Sequence, residues 1–366
     1  MKRILVFLSA IMCVISSIAC TSAIISAEKT KNGRPLLWKH RDTGEENNKV
    51  ERVAAKDGYF EYVALYNASD SLLNDAWMGY NEKGFAIMNT ASYNLKNDDM
   101  DEKDMDKEGE VMTKALQSCM TVDDFEALLK KLQKPLGVEA NFGVIDAYGN
   151  GAYFETNNYE YTRFDLKDAP DGVLVRTNYS YSGREDKGMG YIREQNEKEL
   201  LQAYIKSNDF TPIVFTEKIS KTYYHSLLAH DFTNDNLEWL IDQDFIPRKS
   251  SSASCCIEGI KKGENPRSTV MWIDLGFPPC SELRAAFLGE NGVPDELRGI
   301  SPKGRSPLCD RVVARKHKVF PIHRGNGKHY FKMSLLYNAE DSGYCQKLIP
   351  ENIKYYEKVS KQIKRK

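Results

Sequence analysis

One cysteine in this chain stands where it could serve as both nucleophile and base. Cys20 follows Ser17-Ile18-Ala19, and a signal peptidase requires small side chains at the third and first positions before a cut. Cleavage between Ala19 and Cys20 would free an α-amine, of pKa about 7.7 to 8.0, beside a thiol. The thiol is the attacking group, and the amine takes its proton close to the working pH, where general acid–base groups act best. Uncut, the same nitrogen is an amide without basicity, so proteolysis would switch the chemistry on. Lys39-His40-Arg41-Asp42 supplies the remaining parts: a carboxylate to hold the amine and a cation to favour the thiolate. His40 is the histidine nearest Cys20 in sequence and the alternative base.

These residues need a signal segment and a hairpin. Residues 1–19 have the composition of a secretory signal: Lys2 and Arg3, an almost unbroken apolar run from residue 4 to 15, then small residues. The exported chain is expected to be one domain over 20–366, ending in a Lys-rich helix over 350–366. Residues 22–27 form an apolar, β-prone run and Asn32-Gly33 a turn. Residues 36–42 return as a strand, which carries Lys39 to Asp42 back beside Cys20. Further strands are expected over 61–66, 76–80, 85–89, 141–146, 152–156, 161–166, 172–177, 250–260 and 268–275. Helical spacing covers 110–120, 122–132 and 190–207, with another helix within 212–229.

The opening of the chain resembles the choloylglycine hydrolase and acyl-CoA:6-aminopenicillanic acid acyltransferase group of N-terminal-nucleophile (Ntn) hydrolases. Members begin the mature chain with Cys-Thr or a close variant, here Cys20-Thr21. They end the hairpin in a pattern like Gly-Arg-Asn-x-Asp, here Trp38-Lys39-His40-Arg41-Asp42. The resemblance implies that Asp42 holds the amine and that Lys39, without a gap, or else Arg41 is the cationic partner. Asn89, after the Asn81-Glu-Lys-Gly84 turn, is implied in the oxyanion hole, and Asn178, ending Val173-Leu-Val-Arg-Thr-Asn, in contact with the tetrahedral intermediate. Taken from the residues alone, both are asparagines at strand ends bonding local backbone. Arg267 stands near an arginine of the bile-salt-hydrolase branch; on its own it is an exposed arginine beside a turn.

The resemblance spans about residues 20–280. It implies an α+β fold, a four-layer αββα sandwich of two stacked antiparallel sheets, where composition alone gives only mixed α and β. It implies cleavage of the linear carbon–nitrogen amide of a small-molecule N-acyl substrate, or acyl transfer from it to an amine acceptor, with no metal or organic cofactor. Relatives often form tetramers, so a homo-oligomer is a further implication. A non-enzymatic alternative is a lipoprotein lipidated on Cys20 and anchored to a membrane, but Ser17 stands where lipoprotein signals prefer leucine.

Composition narrows the partners. Removing Lys2 and Arg3 from 51 basic residues leaves 49 against 52 acidic, a formal charge of −3, so nothing points to nucleic acid. After residue 19 no uncharged apolar run reaches membrane-spanning length, so no membrane span is expected in the exported chain. Of the eight cysteines, Cys13 leaves with the signal. Cys119, Cys255, Cys256, Cys280, Cys309 and Cys345 would permit up to three disulfides. The acidic stretch over 97–110 reads as a solvated loop, since Ala115 stands where a calcium loop needs its bidentate glutamate. His317, His323 and His329 read as surface histidines.

Overall fold

The computed structural model describes residues 20–96, 101 and 104–363. The signal segment, part of the acidic stretch (97–100 and 102–103) and the last three residues lie outside the described residues.

The strands are β1 (Thr21–Ile25), β2 (Leu36–Asp42), β3 (Asn48–Val53), β4 (Tyr62–Asn67), β5 (Met78–Asn81), β6 (Ala86–Ala91), β7 (Ala140–Ile145), β8 (Gly151–Thr156), β9 (Tyr161–Asp165), β10 (Val173–Arg176), β11 (Ser251–Glu258), β12 (Val270–Leu275) and β13 (Arg284–Ala286). The main helices are α1 (Glu108–Ser118), α2 (Val122–Lys131), α3 (Tyr191–Ser207), α4 (Pro307–Val319) and α5 (Tyr344–Ile363). β3 to β9 make one antiparallel meander of seven strands, each paired with its neighbour in sequence. The other large sheet runs β10-β1-β2-β11-β12-β13 and is also antiparallel throughout.

The two sheets stack face to face. Ile24 and Leu37 of one sheet and Val63, Leu65, Met88 and Tyr153 of the other share a single core. Their outer faces are covered by helices: α1 and α2 lay Met112, Leu116, Phe125 and Leu129 against Phe142 and Phe154. Leu201 of α3 and Tyr355 and Tyr356 of α5 lie over Trp38 and Trp272. Strands covered on both sides have no solvent face, which is why β2 is buried along its whole length despite carrying Lys39, His40, Arg41 and Asp42. This is the expected four-layer αββα sandwich, established by the chain's own pairing and packing.

Local chemistry explains several boundaries. Thr121 and Asp124 cap α2 reciprocally, each side chain bonding the other's backbone N–H at 3.0 and 2.9 Å. The Asn81 side chain accepts from the N–H of Lys83 and Phe85 and donates to Leu116 O and Cys119 O, tying the β5–β6 turn to the end of α1. Gly84 closes that turn at φ +78°, a conformation that favours glycine.

Two expectations need correction. The helix expected within 212–229 is one short, wide-turned segment, Val214–Ile219, with Ser220 N–H bonded to Phe215 O. Beyond it the chain turns away into a two-residue strand at Tyr224–His225. The C-terminal helix starts earlier, at Tyr344, and packs Tyr355, Tyr356, Val359 and Ile363 on the six-stranded sheet instead of standing in solvent. No disulfide forms among the described residues; all seven cysteines there are buried free thiols.

Phe125 meets Phe142 and Phe154 edge-on, at ring separations of 5.6 and 5.2 Å. Phe125→Ala should cost about 3–5 kcal/mol in denaturant unfolding, whereas Leu72→Ala, at a side chain 77% exposed, should fall within about 0.5 kcal/mol of the parent.

Candidate active site

The hairpin sets the geometry. β1 and β2 pair with Thr21 across from His40, Ser22 from Lys39 and Ala23 from Trp38. Extending that register by one residue puts Cys20 across from Arg41. Its thiol, 3% exposed, lies 3.8 Å from the backbone carbonyl oxygen of Asp42. Alternation then sorts β2 into two faces. Leu37 lies in the core between the sheets, and Lys39 and Arg41 share its face, whereas Leu36 and Trp38 lie under the helices with His40.

On the inner face, Lys39 Nζ donates to Asn89 Oδ1 (2.7 Å) and to Trp77 O (3.0 Å). Burial pushes the Lys39 ammonium down to about 8, against the pull of Cys20 and with the push of Arg41. Because Lys39 takes the Asn89 oxygen, the Asn89 amide hydrogens are left as donors. Arg41 donates to Asn48 Oδ1 and Asn67 Oδ1, and its guanidinium lies 5.1 Å from the Trp77 ring centre. Burial lowers it to about 10, with Cys20 the largest opposing influence. Both cations feel Cys20.

The outer face holds Asp42. Its carboxylate accepts from Arg248 Nε (2.8 Å) and Ser251 Oγ (2.7 Å), so its charge is matched inside the fold. His40 does not turn towards Cys20. Its ring nitrogens lie 3.1 Å from Ser220 Oγ and 2.8 Å from Ser251 Oγ, and burial holds the imidazole down to about 4.

Asn178 follows β10. Its Nδ2 donates to Ala91 O (2.9 Å), joining the ends of β6 and β10, and its Oδ1 accepts from Arg193 (2.8 Å). Arg267 is not brought to this cluster. It ion-pairs with Glu61 (2.6 Å) and Glu82 (3.0 Å). It stands just before β12, whose Val270 faces Glu258, which faces Leu36: the end of β2 away from Asp42.

Sequence reasoning missed three residues. Arg193, on α3, donates to Cys20 O (2.6 Å), Thr21 Oγ1 (2.9 Å) and Asn178 Oδ1, so one guanidinium ties the backbone of Cys20 to Asn178. Arg248 holds Asp42 from the loop before β11. Tyr93 is close enough to Cys20 for a thiolate there to help raise its hydroxyl's pKa, after burial as the main cause. A cleft of about 690 Å³ beside these groups is lined by Arg193, Arg248, Thr43, Asp242, Asp244 and Met189, among others. A second cleft, about 440 Å³ between β9, β10 and α3, has no residue of the Cys20 cluster in its lining.

The buried His40 has a measurable signature. Its folded pKa lies below the ordinary 6.5, so between pH 6.5 and about 4 the unfolded chain binds the extra proton and stability falls as pH falls. The slope should approach about 1.4 kcal/mol per pH unit from this group. Chemical denaturation across that window should show the slope flatten in His40→Gln.

No protein-family model and no curated relative matches the chain. Among solved structures, the chain is similar to a mutant of conjugated bile acid hydrolase from Clostridium perfringens, with 12% identity and a TM-score of 0.45 over 73% of this chain and 92% of that one. It is also similar to the Caenorhabditis elegans ortholog of N-acylethanolamine-hydrolyzing acid amidase, with 13% identity and a TM-score of 0.42 over 65% and 92%. Penicillin V acylase from Agrobacterium tumefaciens gives 10% identity and a TM-score of 0.36 over 74% and 86%.

Proposed function

We propose that the chain is an exported cysteine amidohydrolase that cleaves the linear carbon–nitrogen amide of a small N-acyl substrate through a thioester on Cys20. The observation that carries this reading is the convergence on one buried thiol of two cations, Lys39 and Arg41, with Asn89 and Asn178 close by. Cations around a thiol favour the thiolate, the form that attacks. His40, the competing base, has both ring nitrogens engaged by Ser220 and Ser251, which supports the α-amine of Cys20 as the base once residues 1–19 are removed.

In this mechanism the Cys20 sulfur attacks the acyl carbon, and the proton it gives up passes through the α-amine to the departing nitrogen. The carbon–nitrogen bond breaks, the amine product leaves and the acyl group stays as a thioester. Water then attacks the thioester, its proton goes to the same α-amine, and the acid leaves as the thiol is restored. Asp42 keeps lone pairs beyond those used by Arg248 and Ser251, and these would hold the amine. The free hydrogens of Asn89, and the Asn178 hydrogen not given to Ala91, would receive the oxyanion.

Cys20→Ala should fold and lose all amidase activity, while Cys119→Ala and Cys280→Ala should keep it. Asn89→Ala should lower kcat by about 10²–10³ with the thiol still alkylated at the parent rate. Unchanged turnover by Cys20→Ala would end the proposal.

A further inference from the structure

One segment departs from the near-neutral balance of the chain. Residues 311–339 hold seven Lys or Arg and no Asp or Glu. Three of these cations are matched from outside the segment: Arg311 by Glu296 (3.2 Å), Arg315 by Glu282 (2.8 Å) and Lys316 by Glu46 (2.9 Å). The other four, Lys318, Arg324, Lys328 and Lys332, form no ion pair with a described carboxylate. Residues 235–244, which pair with this segment, bring four acids. Asp235 is bonded to His230 (2.7 Å), and Asp242 and Asp244 act on Arg248 in the cleft beside Cys20. Glu238 is the exposed acid left, so the face they share is positive.

The same face exposes apolar side chains. In the two-strand ribbon of Leu240–Ile241 with Tyr330–Phe331, Ile241 lies directly across from Tyr330, and directly opposed side chains share one face. Phe331 takes the core side, so Ile241 and Tyr330 stand outward, 57% and 38% exposed. One step along the ribbon, Lys332 Nζ lies 5.3 Å from the ring centre of Trp239, itself 40% exposed. Ile322, 37% exposed, fills the space that a side chain at Gly327 would need, in the loop leading to Tyr330. Lys249 Nζ donates to Lys328 O (3.3 Å), and Asp242 N–H to His329 O (2.7 Å). Asp242 and Lys249 also line the cleft beside Cys20, so this face borders its mouth.

Exposed aromatic and aliphatic tips among unmatched cations are what a membrane interface takes up. The tips enter the boundary between headgroups and acyl chains, and Lys and Arg stems reach back to anionic headgroups. A soluble polyanion would meet the charges and leave Ile241 and Ile322 in water. We infer that this face docks the folded protein on an anionic lipid bilayer, with Trp239, Ile241, Ile322 and Tyr330 inserted and Lys318, Arg324, Lys328 and Lys332 on the headgroups. Docking turns the mouth of the cleft towards the bilayer surface. It needs no amidase activity.

Co-sedimentation of the exported protein with lipid vesicles tests this. Vesicles of phosphatidylcholine with about one third phosphatidylglycerol should bind it at least about tenfold more tightly than phosphatidylcholine alone, and about 1 M salt should remove most of that preference. Lys318→Gln and Lys328→Gln should each weaken binding to the anionic vesicles about fivefold, and Ile241→Ser about tenfold. All three side chains are exposed, so the variants should fold, and the lipid and salt comparisons need no variant. Equal binding to the two vesicle types, or none to either, overturns the inference. So does an anionic preference that Lys318→Gln and Lys328→Gln both keep in full, since contact is then made by another face. Binding that salt abolishes and Ile241→Ser leaves unchanged also overturns it, because that is how a site for a soluble polyanion behaves.

Discussion

The register between β1 and β2 is the constraint on which the rest of the site depends. With Ser22 across from Lys39, the inner face of the hairpin presents Lys39 and Arg41 to Cys20, and the outer face gives His40 and Asp42 to the serines and Arg248. A slip of one residue would exchange the two faces. It would send Lys39 and Arg41 under the helices and Leu36 and Trp38 into the space between the sheets. Leu37, Ile24 and Tyr153 hold that space on one side, and Trp38 against Phe215 (5.0 Å between ring centres) holds the other. Hydrophobic packing on both faces therefore fixes the electrostatics of the thiol.

The charged residues of β2 are held by elements far away in sequence. Asp42 is held by Arg248 and Ser251, from the loop before β11 and from β11 itself. Cys20 and Asn178 are held together by Arg193 from α3. The six-stranded sheet supplies strands and loops to this cluster, and the seven-stranded sheet supplies Asn89 from within β6 and Asn48 and Asn67 from β3 and β4. The site thus lies where the two sheets meet, and neither sheet could form it alone.

How much of this was legible in the sequence follows from how local each feature is. The first hairpin, the Asn81–Gly84 turn, the capping box at Thr121 and the β7–β8 hairpin depend on neighbours in sequence, and all were readable. β3 was not, because Asn-Lys-Val-Glu-Arg-Val forms an edge strand with only Val50 in the core, so its alternation is hidden by charge. α4 lay hidden in a basic segment, although Ser306 and Pro307 are a usable start signal. Among the site residues, Lys39, Arg41 and Asp42 could be placed because β2 pairs with β1. Arg193 could not, since α3 carries Arg193, Glu194 and Glu197 on its buried face and so reads as a helix with no functional side. The one available signal was a charged residue at the i, i+4, i+8 positions shared by Arg193, Glu197 and Leu201. Arg267 rests only on its likeness to an arginine of the bile-salt-hydrolase branch; read from the residues it is an exposed arginine beside a turn, and β12, which it precedes, begins at the end of the sheet away from Asp42.

The central claim is that Cys20 carries the acyl group while its own amine is free, and one mass measurement tests both halves. Exported protein is mixed with an activated acyl anilide, quenched in acid during turnover and digested at lysine and arginine, and the peptide covering residues 20–29 is weighed. The account predicts a peptide that begins at Cys20 and is heavier by one acyl group, which hydroxylamine removes as a thioester. A peptide that begins before Cys20 in active enzyme, a lipid on its sulfur, or the acyl group on another residue would contradict it.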